Sequence, residues 1–235
     1  MAALALSSKI MGSSKGGNPL PFKVMCIGDS ITKGNSGGTD STNRGGFRME
    51  LLNSINASLK RVQDCGWDKW GATGQERMCG TNGLRVDEII VAPYTIVQCP
   101  AFEPDVVFLH IGTNDCTQLN SGAWVGGSIA ISITNLGTLL DHIRSANSLT
   151  RVFIAKIVPN TLAGANDQIL LWNAAMATAV AARSDTALIT VVDMYTTFTN
   201  NASWATDYMA DATHPNLAGN TVMATTFYTA FDAIF

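Results

Sequence analysis

The sequence predicts a three-layer α/β/α sandwich built around a parallel sheet. Three observations lead there. Short apolar runs alternate along the chain with segments whose apolar residues recur at helical spacing. Such alternation suits a parallel sheet, because each crossover places a helix against one of its faces. The chain has 235 residues, 46% of them hydrophobic, enough for one large core. No Pro/Ser-rich linker or internal repeat divides it. Residues 1–19, rich in Gly, Ser and Lys after a short apolar start, are read as a flexible leader, and residues 20–235 as a single domain.

The elements follow in order. Phe22 to Ile27 is a buried strand ended by Gly28, followed by a polar, Gly-rich loop from Lys33 to Gly46. Phe47 to Leu59 carries Phe47, Leu51, Leu52, Ile55 and Leu59 on one helical face. Cys65 to Gly83 reads as irregular, and Val86 to Val97 as a helix that stops before Pro100. Asp105 to Ile111 is the clearest strand. Trp124 to Ala146 reads as a helix, Arg151 to Val158 as a strand, and Asp167 to Arg183 as a helix. Ala187 to Val192 is a strand, and Leu217 to Phe235 a closing helix.

Composition narrows the function. A net charge of −3 and a pI of about 5.5 leave no basic patch of the kind nucleic acid needs. No apolar run is long enough to span a membrane. None of the five cysteines stands in a Cys-x-x-Cys pair, so zinc and redox motifs find no support. Cys65 and Cys79 bracket a loop and form a candidate disulfide pair. Two Asn-x-Ser sequons, at Asn56 and Asn201, fit an extracellular protein.

In an open α/β sheet, ligands bind beyond the carboxyl ends of the strands. Ser30, in Gly28-Asp29-Ser30, directly follows the first strand and is the candidate nucleophile. Of the three histidines, His142 lies mid-helix and His110 inside a strand, and both are read as structural. His214 stands in Asp211-Ala212-Thr213-His214, between a loop and the last helix. The i, i+3 spacing lets the Asp211 carboxylate meet Nδ1 and leaves Nε2 as a base. Asn114, in Gly112-Thr113-Asn114-Asp115, ends the strongest strand and offers a side-chain amide to an oxyanion. Gly80-Thr81-Asn82-Gly83 offers a backbone N–H. Each tripeptide or tetrapeptide is also an ordinary turn sequence; their order along one chain is what carries the reading. Gly-x-Ser-x-Gly occurs at Gly12–Gly16 and Gly34–Gly38, but neither copy follows a strand, so the nucleophile elbow of α/β-hydrolases does not apply.

Taken together, Gly28-Asp29-Ser30, Gly83, Gly112-Thr113-Asn114-Asp115 and Asp211-x-x-His214 resemble the four blocks of the SGNH, or GDSL, hydrolases, over Phe22 to about Asn220. The resemblance implies a flavodoxin-like sandwich of about five parallel strands. It also implies Ser30 as nucleophile, His214 as base and Asp211 as its orienter. The implied oxyanion hole is made by the Ser30 N–H, the Gly83 N–H and the Asn114 amide. Gly28 to Gly34, then Gly45-Gly46-Phe47-Arg48, then Gly80-x-x-Gly83-Leu84-Arg85, are similar to carbohydrate esterase family three, whose members remove acetyl groups from xylan. That likeness implies a serine esterase that needs no organic cofactor; some members of that subgroup carry a structural calcium, but no compact acidic cluster in this chain calls for one, so no metal is expected. Its expected partner is an acetylated polysaccharide or a small ester, and the expected state is an extracellular monomer. Asp29, Thr213, Trp67 and Trp70 are the candidate substrate contacts, with Trp204 a further candidate platform for a sugar ring. Lipase, thioesterase or arylesterase activity, and an inactive sugar-binding module on the same fold, are the competing readings.

Overall fold

The computed structural model describes residues 21–34, 45–58, 60–66, 68–69, 77–91 and 93–235. The leader, most of the Lys33–Gly46 loop, Trp67 and Trp70 lie outside the described residues. The chain begins with β1 (Phe22–Gly28), a single-turn α1 (Ser30–Lys33) and α2 (Gly46–Ala57). Three short strands follow, β2 (Val62–Cys65), β3 (Asp68–Lys69) and β4 (Arg77–Gly80), then helices α3 (Val86–Ile89) and α4 (Thr95–Phe102). β5 (Val106–His110) leads into α5 (Thr113–Ser121) and α6 (Ile129–Ala146). β6 (Arg151–Ala155), α7 (Ala165–Ala181) and β7 (Ile189–Val192) come next, and α8 (Met194–Thr199), α9 (Trp204–Asp207) and α10 (Leu217–Asp232) close the chain.

The sheet order is β3-β4-β1-β5-β6-β7, with β2 also paired to β1. All pairings are parallel except β3 with β4. Side chains alternate across the sheet, so each strand feeds two cores. Met25, Ile27, Val107, Leu109 and Ile154 pack with Leu139, Trp172 and Met176. Val24, Cys26, Phe108 and Phe153 pack with Leu51, Ile55, Phe227 and Phe231 on the other face. Phe108 and Phe153 stack with ring centroids 5.2 Å apart. Each such buried side chain contributes about 1.5–3 kcal/mol. The α/β/α sandwich expected from the apolar alternation is the observed fold.

Several element assignments change. The stretch read as irregular from Cys65 to Gly83 contains β3 and β4, and β2 ends at Cys65. β5 occupies one edge of β1, so β2, paired to Phe22–Met25, and β4, paired to Ile27 and Gly28, lie end to end along the other. The second strand is thus split by an excursion, which destroys any continuous apolar run. Cys65 and Cys79 are free and buried rather than bridged; they stand opposite Met25 and Ile27 within the same apolar cluster. Val86–Val97 is two helices, with Pro93 between them and Pro100 inside the second; proline disfavours helix at the residue before it. The helix expected from Trp124 starts at Ile129 behind Ser128, whose hydroxyl accepts from Ile131 N–H. Thr113–Ser121, which no apolar periodicity marks as a helix, forms α5, and Gly122 caps it.

Candidate active site

Register places the site. Gly28, the last residue of β1, pairs with Gly80 of β4 and with His110 of β5. Ser30 therefore leaves the sheet between the two strands whose following segments carry Gly83 and Asn114. A Cβ on Gly28 would overlap both the His110 carbonyl and the Thr32 hydroxyl, so only glycine lets α1 start this close to β5.

Ser30 opens α1, whose cap is Asp29: its Oδ1 accepts from Ile31 N–H at 2.9 Å. Ser30 Oγ lies 2.9 Å from His214 Nε2. On the other side of the ring, His214 Nδ1 is 2.9 Å from Asp211 Oδ2 and 3.1 Å from Oδ1. Asp211 Oδ1 also accepts from the N–H groups of Thr213 and His214, both at 2.7 Å. Burial alone would raise the Asp211 carboxyl; these donors outweigh it and hold the group below the usual carboxylate range. The loop is pinned from behind. Thr161 N–H donates to Ala212 O at 2.9 Å, Asn160 Nδ2 to Thr213 Oγ1 at 3.1 Å, and Ala210 N–H to His214 O at 2.8 Å. A hydroxyl, an imidazole and a carboxylate thus form one hydrogen-bonded chain across 184 residues of sequence. Such a chain can carry the hydroxyl proton to the ring as the oxygen attacks an electrophile.

Asn114, in the first turn of α5, donates through Nδ2 to Leu84 O at 3.0 Å. That bond ties it to the residue after Gly83, where the backbone turns at φ +77° and nothing lies within 4 Å of a notional Cβ. The two amide donors expected for the oxyanion hole are joined in this way. Neither of the other histidines hydrogen-bonds to Ser30. His110 is fully buried, and burial holds it down to about 4; His142 Nδ1 meets Thr95 Oγ1 at 3.4 Å.

One site expectation changes. Asp29 is not on the rim: it is 0% exposed, so it cannot meet substrate from this position. Burial pushes its carboxyl up to about 7, against the pull of Ile31 N–H, and neighbouring Asp115 adds to the rise. Thr113 is near enough to favour the ionised form, although Asp29 Oδ2 makes no hydrogen bond. The candidate platforms Trp67 and Trp70 lie outside the described residues, while Trp204 packs against the apolar cluster beneath α10. One residue not read as part of the site matters to it. Arg48, buried on α2, donates to Thr32 O at 2.6 Å, Lys33 O at 3.3 Å and Arg77 O at 3.2 Å. Its signal was the Gly45-Gly46-Phe47-Arg48 run.

The sequence profile of the GDSL-like lipase/acylhydrolase family matches residues 26–222, from β1 into α10. The chain belongs to this family. As a GDSL-like hydrolase it shares its fold with solved esterases. A family 3 carbohydrate esterase from Clostridium thermocellum superposes with a TM-score of 0.72 at 23% identity, over 92% of this chain and 98% of that one. An acetyl esterase variant with acetate ion gives 0.70 at 20% identity, over 91% and 98%. An acetylxylan esterase from Geobacillus stearothermophilus gives 0.67 at 16% identity, over 88% and 93%. No curated protein sequence matches the chain. These likenesses place the GDSL-like chain in the SGNH fold, with similarity to carbohydrate esterase family 3, and support an ester-hydrolysing enzyme.

Proposed function

We propose that the protein is a serine esterase acting on acetyl esters of a polysaccharide such as xylan, through an acyl-Ser30 intermediate. The observation that carries the mechanism is the chain Ser30 Oγ–His214 Nε2, His214 Nδ1–Asp211, with both contacts at 2.9 Å. Nε2 takes the hydroxyl proton as Oγ bonds to the ester carbonyl carbon. The carbonyl oxygen becomes an oxyanion, held by the Ser30 and Gly83 N–H groups and by the second N–H of the Asn114 amide. One such donor lowers the barrier by roughly 3–4 kcal/mol. The C–O bond to the alcohol breaks, and the alcohol leaves with the proton from Nε2. Water then enters by the reverse relay, releasing the acid and restoring Ser30.

The acetylated-sugar assignment is supported by the shared fold with acetyl and acetylxylan esterases. Polar groups on and beside the His214 loop, the exposed Thr161 and the half-buried Thr213, also suit a hydroxyl-rich substrate. A second reading has its own observation. Leu162 and Leu217, which flank that loop, are 45% and 59% exposed, as a longer acyl chain would favour. The test is a series of p-nitrophenyl esters from acetate to octanoate beside acetylated xylan, with Ser30→Ala as control. Ser30→Ala should abolish turnover while the protein stays folded. Acetate release from xylan, with kcat/KM falling as the chain lengthens, is expected; a rise with chain length and no acetate from xylan replaces this substrate by a long-chain ester.

A further inference from the structure

A buried chain of hydrogen bonds reaches from α7 to the segment that follows Gly83. Trp172 Nε1 donates to Ser132 Oγ at 2.8 Å. Ser132 Oγ donates to Asp115 Oδ1 at 2.6 Å. Asp115 Oδ2 accepts from Val86 N–H at 3.1 Å. All three side chains are 0% exposed. The Trp172 ring also lies against Gly112, where a Cβ would sit 2.6 Å from it and where φ is +110°. The start of α5 is therefore seated on α7.

Asp115 and Asn114 are neighbours, and they grip the same segment at two points, Val86 N–H and Leu84 O. A carboxylate is a costly group to bury when packing alone is needed, since an apolar side chain fills such space with less desolvation. Burial raises the Asp115 carboxyl to about 6, with the Ser132 hydroxyl and Val86 N–H opposing the rise. The hydrogen bonds it makes are directional, and they link Ser132 on α6 to Val86 in the segment that follows Gly83.

We propose that Asp115, oriented by Ser132 and Trp172, is a positioning residue that fixes the Gly83–Val86 segment against the first turn of α5 and so sets the spacing of the oxyanion donors Gly83 N–H and Asn114 Nδ2. This rests on the serine-esterase reading above. Without the grip, Leu84 and the Asn114 amide move together away from the place where the oxyanion forms. Binding of the neutral ester is little affected, because the misplaced donors act on charge that develops only in the transition state.

The experiment is steady-state kinetics on p-nitrophenyl acetate with Ser132→Ala, Asp115→Asn and Trp172→Phe, the last removing the indole N–H together with part of the ring system, so that its thermal unfolding is measured beside its kinetics. Each folded variant should lose roughly ten- to a hundredfold in kcat with KM within about twofold. Placed in an Asn114→Ala background, each should cost clearly less than it does in wild type, since one of the two donors it positions is already gone. An unchanged kcat in folded Ser132→Ala or Trp172→Phe overturns the inference. So does a loss confined to KM, or one fully additive with Asn114→Ala. If wild type is inactive, or Ser30→Ala retains activity, the esterase reading fails and takes the inference with it. If those two controls behave as expected, the variants judge the positioning role alone.

Discussion

Replacing Asp211 with Asn separates the orienting carboxylate from every other part of the site. Asp211 Oδ1 accepts the Thr213 and His214 N–H groups at 2.7 Å, and an amide oxygen can take over both bonds. The amide NH2 then occupies the Oδ2 position, 2.9 Å from His214 Nδ1. Two donors cannot face each other there, so Nδ1 becomes the acceptor and the ring proton moves to Nε2, 2.9 Å from Ser30 Oγ. In that tautomer the ring donates to Ser30 and cannot accept its proton. The expected loss in kcat at neutral pH is roughly 10³–10⁴-fold, equivalent to about 4–5.5 kcal/mol of barrier. The Asp211 side chain is 38% exposed, so the fold should lose no more than about 1 kcal/mol. p-Nitrophenyl acetate hydrolysis, with thermal unfolding as the control, reads both quantities. A folded variant within tenfold of wild type would falsify the assignment of Asp211 as orienter.

Asn114→Ala should lower kcat by roughly a hundred- to a thousandfold with little change in KM; an effect on KM alone makes Asn114 a substrate contact instead. Gly28→Ala forces a methyl into the His110 carbonyl and the Thr32 hydroxyl, and should destabilise the protein by about 2–4 kcal/mol; an unshifted Tm contradicts the close approach. Asp29→Asn keeps an oxygen to cap Ile31 but has no charge to bury. Asp29 has a folded pKa of about 7, above an unfolded value of about 3.9, so its stabilising contribution is complete below pH 4 and is lost as pH rises through 7. The Tm of Asp29→Asn minus that of wild type should therefore grow from pH 4 to 8, and a flat or shrinking difference is the contrary result.

The strands most directly legible were those whose apolar residues are contiguous; β7 was legible too, with only Thr190 interrupting its run. β1, β5 and β6 run through the core, and Val24–Ile27, Val106–Leu109 and Val152–Ala155 are buried almost without interruption. α5 escaped because it turns Thr113, Asp115 and Cys116 inward, so polarity no longer marks the solvent side. The second strand escaped because two pieces of it are separated by an excursion. In the site, the residues assigned chemical roles lie in turns at strand ends, where residue type and spacing can be matched to a reaction. The residues that hold those turns cannot be found that way. Arg48 bonds to carbonyl oxygens, which every residue type supplies, and Ser132 meets Trp172 across 40 positions. Asp29 misled for a different reason: carboxylate side chains are seldom fully buried, and this one is, with Ile31 N–H on Oδ1 and no hydrogen bond on Oδ2.

How Ser30 is held follows from how short α1 is. Four residues make one helical turn, and a turn standing alone is unfavourable because fixing its backbone costs more than its first hydrogen bond returns. At its start, Asp29 satisfies Ile31 N–H. At its end, the buried Arg48 guanidinium takes the carbonyls of Thr32 and Lys33 and, with the same planar fork, the carbonyl of Arg77 on β4. The Thr32 hydroxyl reaches the His110 carbonyl of β5 at 3.3 Å. The turn is therefore fastened to both strands that flank β1, the same two that lead to Gly83 and Asn114. A rigid tie between nucleophile and oxyanion donors is what acyl transfer needs, because displacing either by a fraction of an ångström loses the developing charge. Lysine in place of Arg48 would offer one compact cation where three separated carbonyls are now bridged, which is why the long-range ties, rather than the helical preference of Ser30–Lys33, fix the direction in which the serine hydroxyl meets His214.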